Sequence, residues 1–314
     1  MSALLLVSCI LSMTSCNGGK KYTVGILQLV PHAALDSATQ GFKAALVAEL
    51  GEENVEFLYQ NAQGDATTCT TIAADFVTKN VDLIMANATA ALQAAANATE
   101  TIPVVGTSIT AYNVALGLND FNGTVGTNVT GASDLANLAE QAKMVELFPD
   151  AETVGLLYCS AEPNSDYQIK VVKAELEAMN YTVSLHPFSD SNDVASVAAT
   201  AATKDVIYIP TDNTAASCTA AILGAIGDTP VVAGEEATCK GCGVVTLTIN
   251  YYDMGYVAGQ MAAKILKGEK EPETMPIEIV PDAKQAKKYN AARCAELNID
   301  TAALEAKGYV AIAD

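Results

Sequence analysis

Residues 153–158 read TVGLLY and residues 23–28 read TVGILQ, and this near-identical pair decides the fold. Each run is β-branched and apolar with no polar alternation, the pattern of a strand buried on both faces of a parallel sheet. The likeness continues downstream in both halves. Asp82 opens DLIMANATAA and Asp205 opens DVIYIPTDNTAA, while Ile102 opens IPVVGTS and Thr229 opens TPVVAGEE. Matched blocks in the same order and at similar spacing describe a doubled unit. Between the first-half strands, LDSATQGFKAALVAEL (35–50), DATTCTTIAADFVTKN (65–80, with Asp65 as N-cap) and ATAALQAAANAT (88–99) carry apolar residues at helical spacing. Strands alternating with helices give a parallel sheet covered on both faces. The expected class is α/β, built as two similar doubly wound parallel-sheet lobes.

Composition narrows the function. With 314 residues, 50% hydrophobic and 17% charged, the chain can bury one large or two medium cores and is not disordered. Seventeen Lys+Arg against 36 Asp+Glu give a net charge of −19, and the lone arginine is Arg293. No surface can then offer the basic stripe that a phosphate backbone needs, so nucleic acid is not a partner. The two histidines, His32 and His186, are far apart and lack metal-ligand spacing, so no metal site and no cofactor are expected.

The opening MSALLLVSCILSMTSC is a short apolar run ending in small residues before Cys16, followed by the polar NGGKK. It reads as a secretory h-region with a lipobox-like Met-Thr-Ser-Cys, so residues 1–21 are expected to be a lipoprotein signal peptide and linker with Cys16 acylated. Export to an extracytoplasmic, membrane-anchored position follows. The basic n-region is missing, which leaves the true start codon open. Beyond Cys9 and Cys16 stand Cys69, Cys159, Cys218, Cys239, Cys242 and Cys294. The CKGC run at 239–242 has redox or zinc spacing, but a zinc site wants a second such pair. It reads as a segment between two strands that does not open a helix, carrying either a local disulfide or reduced surface thiols.

In open parallel sheets ligands bind beyond the carboxyl ends of the strands, where helix N-termini present free N–H groups. The loops expected there are polar in both halves: QLVPHAALDS, NATA and GTSIT in the first, CSAEPNSD, PTDNT and GEEAT in the second. Singly, such residues are ordinary turns and caps. As a set at equivalent strand ends, they outline a cleft.

The runs VGILQLVPHAALDSATQGFKAAL, YQNAQGD, PTDNT and INYYDMGYVAGQMAAKILKG, with the lipobox-led start, resemble the substrate-binding lipoproteins of ABC importers of the tryptophan/tyrosine class, which have the type I periplasmic-binding-protein fold. The resemblance runs from about Tyr22 to about Leu297. It implies a monomeric bilobed receptor that closes on an amino acid and docks on an ABC permease and its ATPase. Lobe 1 would comprise residues 22–118 with 252–277, and lobe 2 residues 119–251 with 278–314. A three-segment hinge would have crossings near 110–125, 250–252 and 277–281. Carried over residue by residue, the ligand-binding set is Gln28, His32, Asp36, Thr89, Thr107 and Ser108 from lobe 1, and Ser160, Asn164, Ser165, Asp212, Asn213 and Glu235 from lobe 2. The CKGC segment and the tail after Asn298 depart from the family pattern.

Chemistry bounds the ligand independently. With no arginine near these loops, a carboxylate has to be held by helix N-terminal N–H groups and by Thr, Ser and Asn donors. Asp36, Asp212, Glu235 and Glu236 in the same loops suit an ammonium, so a zwitterion fits better than a phosphate or a dicarboxylate. An enzyme is the rival class, but Gly-x-Ser-x-Gly, P-loop and Gly-x-Gly-x-x-Gly motifs are all missing from the sequence. A sugar- or nucleoside-binding receptor of the same fold is the alternative, set back by the lack of tryptophan for a stacking sandwich.

Overall fold

The computed structural model of the chain describes residues 21–313, so the leader and its Cys16 lie outside the described residues. The first half runs β1 (Tyr22–Gln28), α1 (Ala33–Leu50), β2 (Val55–Asn61), α2 (Ala66–Thr78), β3 (Leu83–Asn87), α3 (Thr89–Ala98), β4 (Val104–Ile109), α4 (Tyr112–Leu116) and β5 (Val129–Ser133). After α5 (Leu138–Lys143) the pattern restarts with β6 (Thr153–Cys159), α6 (Pro163–Ala178), β7 (Thr182–Phe188), α7 (Val194–Ala201) and β8 (Val206–Ile209). It continues with α8 (Asn213–Ser217), α9 (Thr219–Ile226), β9 (Val231–Ala233), α10 (Glu236–Cys242) and β10 (Val245–Thr248). Then follow α11 (Tyr251–Leu266), β11 (Glu278–Ile279), β12 (Ala286–Tyr289), α12 (Ala291–Glu296), α13 (Thr301–Ala306) and β13 (Val310–Ala311).

Two sheets result, ordered β11-β5-β4-β3-β1-β2 and β13-β12-β10-β9-β8-β6-β7. β1 stands between β2 and β3 as β6 stands between β7 and β8, so the three matched sequence blocks fall on equivalent strands. The same small tie is built twice: Asp82 Oδ2 accepts the Thr23 N–H at 2.8 Å, and Asp205 Oδ2 accepts the Thr153 N–H at 2.8 Å. Apart from the antiparallel pair β10/β12, the strand pairs are parallel.

Strand alternation sends neighbouring side chains to opposite faces. In β3, Leu83 and Met85 join the core under α1 and α11, while Ile84 and Ala86 join the core under α2 and α3. Helices α1 and α11 approach closely because glycines face the partner backbone. A Cβ at Gly255 would collide with the Ala38 carbonyl, and one at Gly41 with the Tyr252 carbonyl.

Two expectations need correction. The chain does not leave the first sheet by residue 118, because β5 pairs with β4 in parallel, so the first crossing follows Ser133. β11 pairs with β5, which keeps residues 278 and 279 in lobe 1 as well. The run VTGAS is short and polar, and Gly131, at φ 149°, lies against the Gly106 carbonyl, which hid a strand within what reads as a crossing loop. The second correction is CKGC, whose cysteines lie in the helix α10 after β9 and are buried. The six cysteines of the described residues are unpaired. Burial pushes the Cys242 thiol up to about 12, which disfavours the reactive thiolate.

Candidate functional site

The carboxyl ends of the two sheets face one another, and the side chains gathered there divide by chemistry. On β1, the buried Gln28 is spent internally. Its Nε2 donates to Asp36 Oδ1 at 2.7 Å and to the Val30 carbonyl at 3.0 Å, and its Oε1 accepts from Thr39 at 2.7 Å. Gln28 and Asp36 thus shape the loop that carries His32. His32 is the N-cap position of α1 but makes no side-chain cap there. Its Nε2 instead lies 3.3 Å from Asn213 Oδ1 of the other lobe, and its Nδ1 is buried without a partner among the described residues.

Further along the same lobe, Thr89 opens α3, whose N-terminus has no side-chain cap. The preceding Ala88 has φ 88°, and Ser108 on β4 has φ 58°, in the left-handed region that costs a residue with a Cβ. The Thr107 and Ser108 hydroxyls are buried and unpartnered among the described residues. An uncapped helix N-terminus beside two unpartnered hydroxyls has the donors to hold a small anion such as a carboxylate.

The second lobe is arranged in the opposite sense, with carboxylates on its helix N-termini. Asp212 caps α8, its Oδ1 accepting the Ala215 N–H at 2.8 Å and its Oδ2 the Cys159 N–H at 2.6 Å. Burial, with the Glu162 carboxylate nearby, holds its carboxyl well above the usual carboxylate range. Glu235 caps α10 through the N–H groups of Ala237 and Thr238. Asn164 and Ser165, in the first turn of α6, are buried; Asn164 Nδ2 reaches Glu162 Oε2 and the Thr211 carbonyl, leaving Oδ1 unpartnered. Asn213 sits beside them. Ser160 stands apart: it is exposed, and its hydroxyl donates to the Phe188 carbonyl on β7.

Two further residues of the cleft, at its opposite ends, were not singled out from the sequence. Glu162 accepts from Asn213 Nδ2 at 2.7 Å and from the Thr214 N–H at 2.8 Å, joining the starts of α6 and α8. Asp134, at the first crossing, is 4% exposed and accepts Thr110 Oγ1 at 2.9 Å and the Tyr251 phenol at 3.1 Å. Burial pushes its carboxyl up to about 6; the two hydroxyl bonds pull the other way, and the nearby Glu235 adds to the rise. Among the described residues, no group of three His, Cys, Asp or Glu is arranged to hold a metal ion.

Residues 23–303 match the family described as ABC transporter substrate binding protein. A tyrosine-binding protein of Clostridioides difficile (strain R20291) is 34% identical over 256 residues, covering 80% of this chain and 74% of that protein. An ABC domain from Streptococcus pneumonia, solved in complex with L-Trp, superposes with a TM-score of 0.87 at 28% identity, covering 93% of this chain and 100% of that one. The ligand-free, open structure of a substrate binding protein with adhesive properties from Clostridium difficile superposes with a TM-score of 0.69 at 32% identity, again over 93% of this chain and 100% of that one.

Proposed function

The chain belongs to the family of ABC transporter substrate binding proteins, whose members bind and do not catalyse, and from that premise we propose that it captures an aromatic amino acid, tryptophan or tyrosine, between its lobes for import. The observation that carries the reading is the sorting of charge along the cleft. The uncapped start of α3 and the Thr107 and Ser108 hydroxyls receive the ligand carboxylate. Asp134, one strand further along and met by hydroxyl donors without a cation, receives the ammonium. The tyrosine and L-Trp named for the two relatives support the same ligand class.

The chain as a whole superposes better on the L-Trp complex than on the open, ligand-free relative, although the open one is the more identical in sequence. That supports closure about the crossings at Ser133, Asn250 and Pro281. In this reading the closed monomer docks on an ABC permease with its ATPase, and Cys16 carries a lipid that holds the receptor at the outer face of the membrane. Among the described residues no helix is long and apolar enough to cross a membrane.

A thermal-shift screen of the chain from Lys20 against the twenty amino acids, common sugars and nucleosides tests the ligand class. A ligand at a hundred times its Kd stabilises by about 2.7 kcal/mol. Stabilisation by sugars or nucleosides alone would overturn the proposal.

A further inference from the structure

At the end of the cleft remote from Asp134, one carboxylate turns the surrounding side chains. Glu162 accepts the N–H groups of Asn213 at 3.1 Å and Thr214 at 2.8 Å, and the Thr214 hydroxyl at 2.7 Å. It therefore demands donors, and the amide NH2 groups of Asn213 (2.7 Å) and Asn164 (3.2 Å) supply them. An amide with its nitrogen committed presents its oxygen elsewhere. Asn213 Oδ1 consequently faces His32 Nε2, and that nitrogen has to carry the hydrogen. In the neutral imidazole the remaining nitrogen, Nδ1, is then a bare acceptor.

His32 Nδ1 is buried without a partner among the described residues, and so is Asn164 Oδ1. Each lobe thus contributes an unmatched acceptor to the same end of the cleft, with Asn87 Oδ1 at the end of the neighbouring β3 unpartnered as well, while the unmatched hydroxyls of Thr107 and Ser108 stand on β4. Strand order fixes the direction between them. Asp134 follows β5, the hydroxyls lie on β4, and His32 follows β1, three strand positions or roughly 14 Å from β5. An amino acid with its ammonium at β5 and its carboxylate at β4 must send its side chain toward His32.

We infer that His32 and Asn164 form an acceptor-only subsite that selects a ring bearing a distal donor, the O–H of tyrosine or the N–H of tryptophan, and rejects phenylalanine. The inference rests on the aromatic amino-acid reading above. A site that hydrogen-bonds a polar group discriminates against an analogue lacking it, because its buried acceptor is left unpaired, at a cost of about 10- to 100-fold in affinity.

Isothermal titration of the wild type with tyrosine, tryptophan and phenylalanine, repeated on His32→Leu, His32→Asn and Asn164→Ala, tests this. The expected result is wild-type preference for tyrosine or tryptophan over phenylalanine by at least about 10-fold. His32→Leu should shrink that gap by weakening the donor-bearing ligand alone, His32→Asn should keep part of it through its amide oxygen, and Asn164→Ala should narrow it independently. Equal wild-type affinity for all three rings would overturn the inference and leave the aromatic reading standing. A uniform loss for all three in His32→Leu, with the fold intact by thermal melt, would assign His32 to the ligand's head group and also overturn it. Failure of the wild type to bind any aromatic amino acid would remove the parent reading itself.

Discussion

Tyr251 donates its phenol to Asp134 Oδ2 at 3.1 Å, and so joins the second crossing between the lobes to the first. The bond holds a buried carboxylate that has no cation partner among the described residues, which suits it to the ammonium proposed for it.

For Asp134 the sign of the pH effect is set by burial. Its folded carboxyl is pushed up to about 6, against about 3.9 in an unfolded chain. The stability contributed by its proton is fully present below about pH 4 and is lost as pH rises through about 6, on the order of 2–3 kcal/mol. Urea melts between pH 4 and 7 should show this loss in the wild type relative to Asp134→Asn. An ammonium ligand favours the charged form, so affinity should fall about tenfold per unit below pH 6. Asp134→Asn should weaken binding at least tenfold and flatten that slope; titration calorimetry across the same range reads both.

Asp212 was read from the sequence as suited to an ammonium; in the fold each of its oxygens accepts a backbone N–H and so ties the start of α8 to β6. Asp212→Asn keeps an oxygen for one of them and turns an NH2 toward the other. The expected outcome is a loss of about 1–3 kcal/mol of stability, with ligand affinity unchanged within a few-fold. A tenfold weaker Kd in a well-folded variant would return Asp212 to the ligand.

Close approach of α1 and α11 makes Gly255 a structural position. Its substituent would meet the Ala38 carbonyl, a backbone atom that cannot swing aside. Gly255→Ala should cost about 1–3 kcal/mol by overpacking, seen as a lower melting temperature. A melt unchanged from wild type would mean that the helices separate freely.

Acylation at Cys16 is checked by feeding cells a fatty-acid analogue. Label should be present in the wild type and lost in Cys16→Ala, and equal label in both would remove the lipid anchor.

The fold was legible because its signals are local and repeated: TVGILQ and TVGLLY are buried strands whatever surrounds them, and the later blocks keep their order. Asp65 was readable as a cap for the same reason, and it accepts the Thr68 N–H at 2.5 Å. What sequence could not reveal is how a polar loop residue spends its hydrogen bonds. Gln28, Asp212 and Glu235 read like ligand contacts, and the hydrogen bonds they make shape their own lobes, while Glu162 and Asp134 acquire their places only when distant segments meet. Thr238 and Cys239 likewise carry no helical period in so short a run, which hid α10.

Closure is the last prediction. A ligand can shift an open–closed equilibrium only by touching groups that come together in one state. The groups proposed to touch the ligand come from different lobes: His32 and Thr107 from the first, Asn164 and Asn213 from the second, with the His32–Asn213 contact of 3.3 Å spanning the gap. The three chain crossings are few enough for the lobes to turn as bodies, since each has its own sheet and its own cores. Opening breaks the His32–Asn213 contact and leaves Asp134 and the β4 hydroxyls to water, so a bound zwitterion favours the closed form. Small-angle scattering should therefore show a smaller radius of gyration once tyrosine or tryptophan is added, and mass spectrometry should recover the ligand unaltered. Asn213→Ala should reduce the closed population without ligand and weaken binding by a few-fold. An identical scattering curve with saturating ligand would rule out hinge closure, and a chemically changed ligand would overturn the receptor reading.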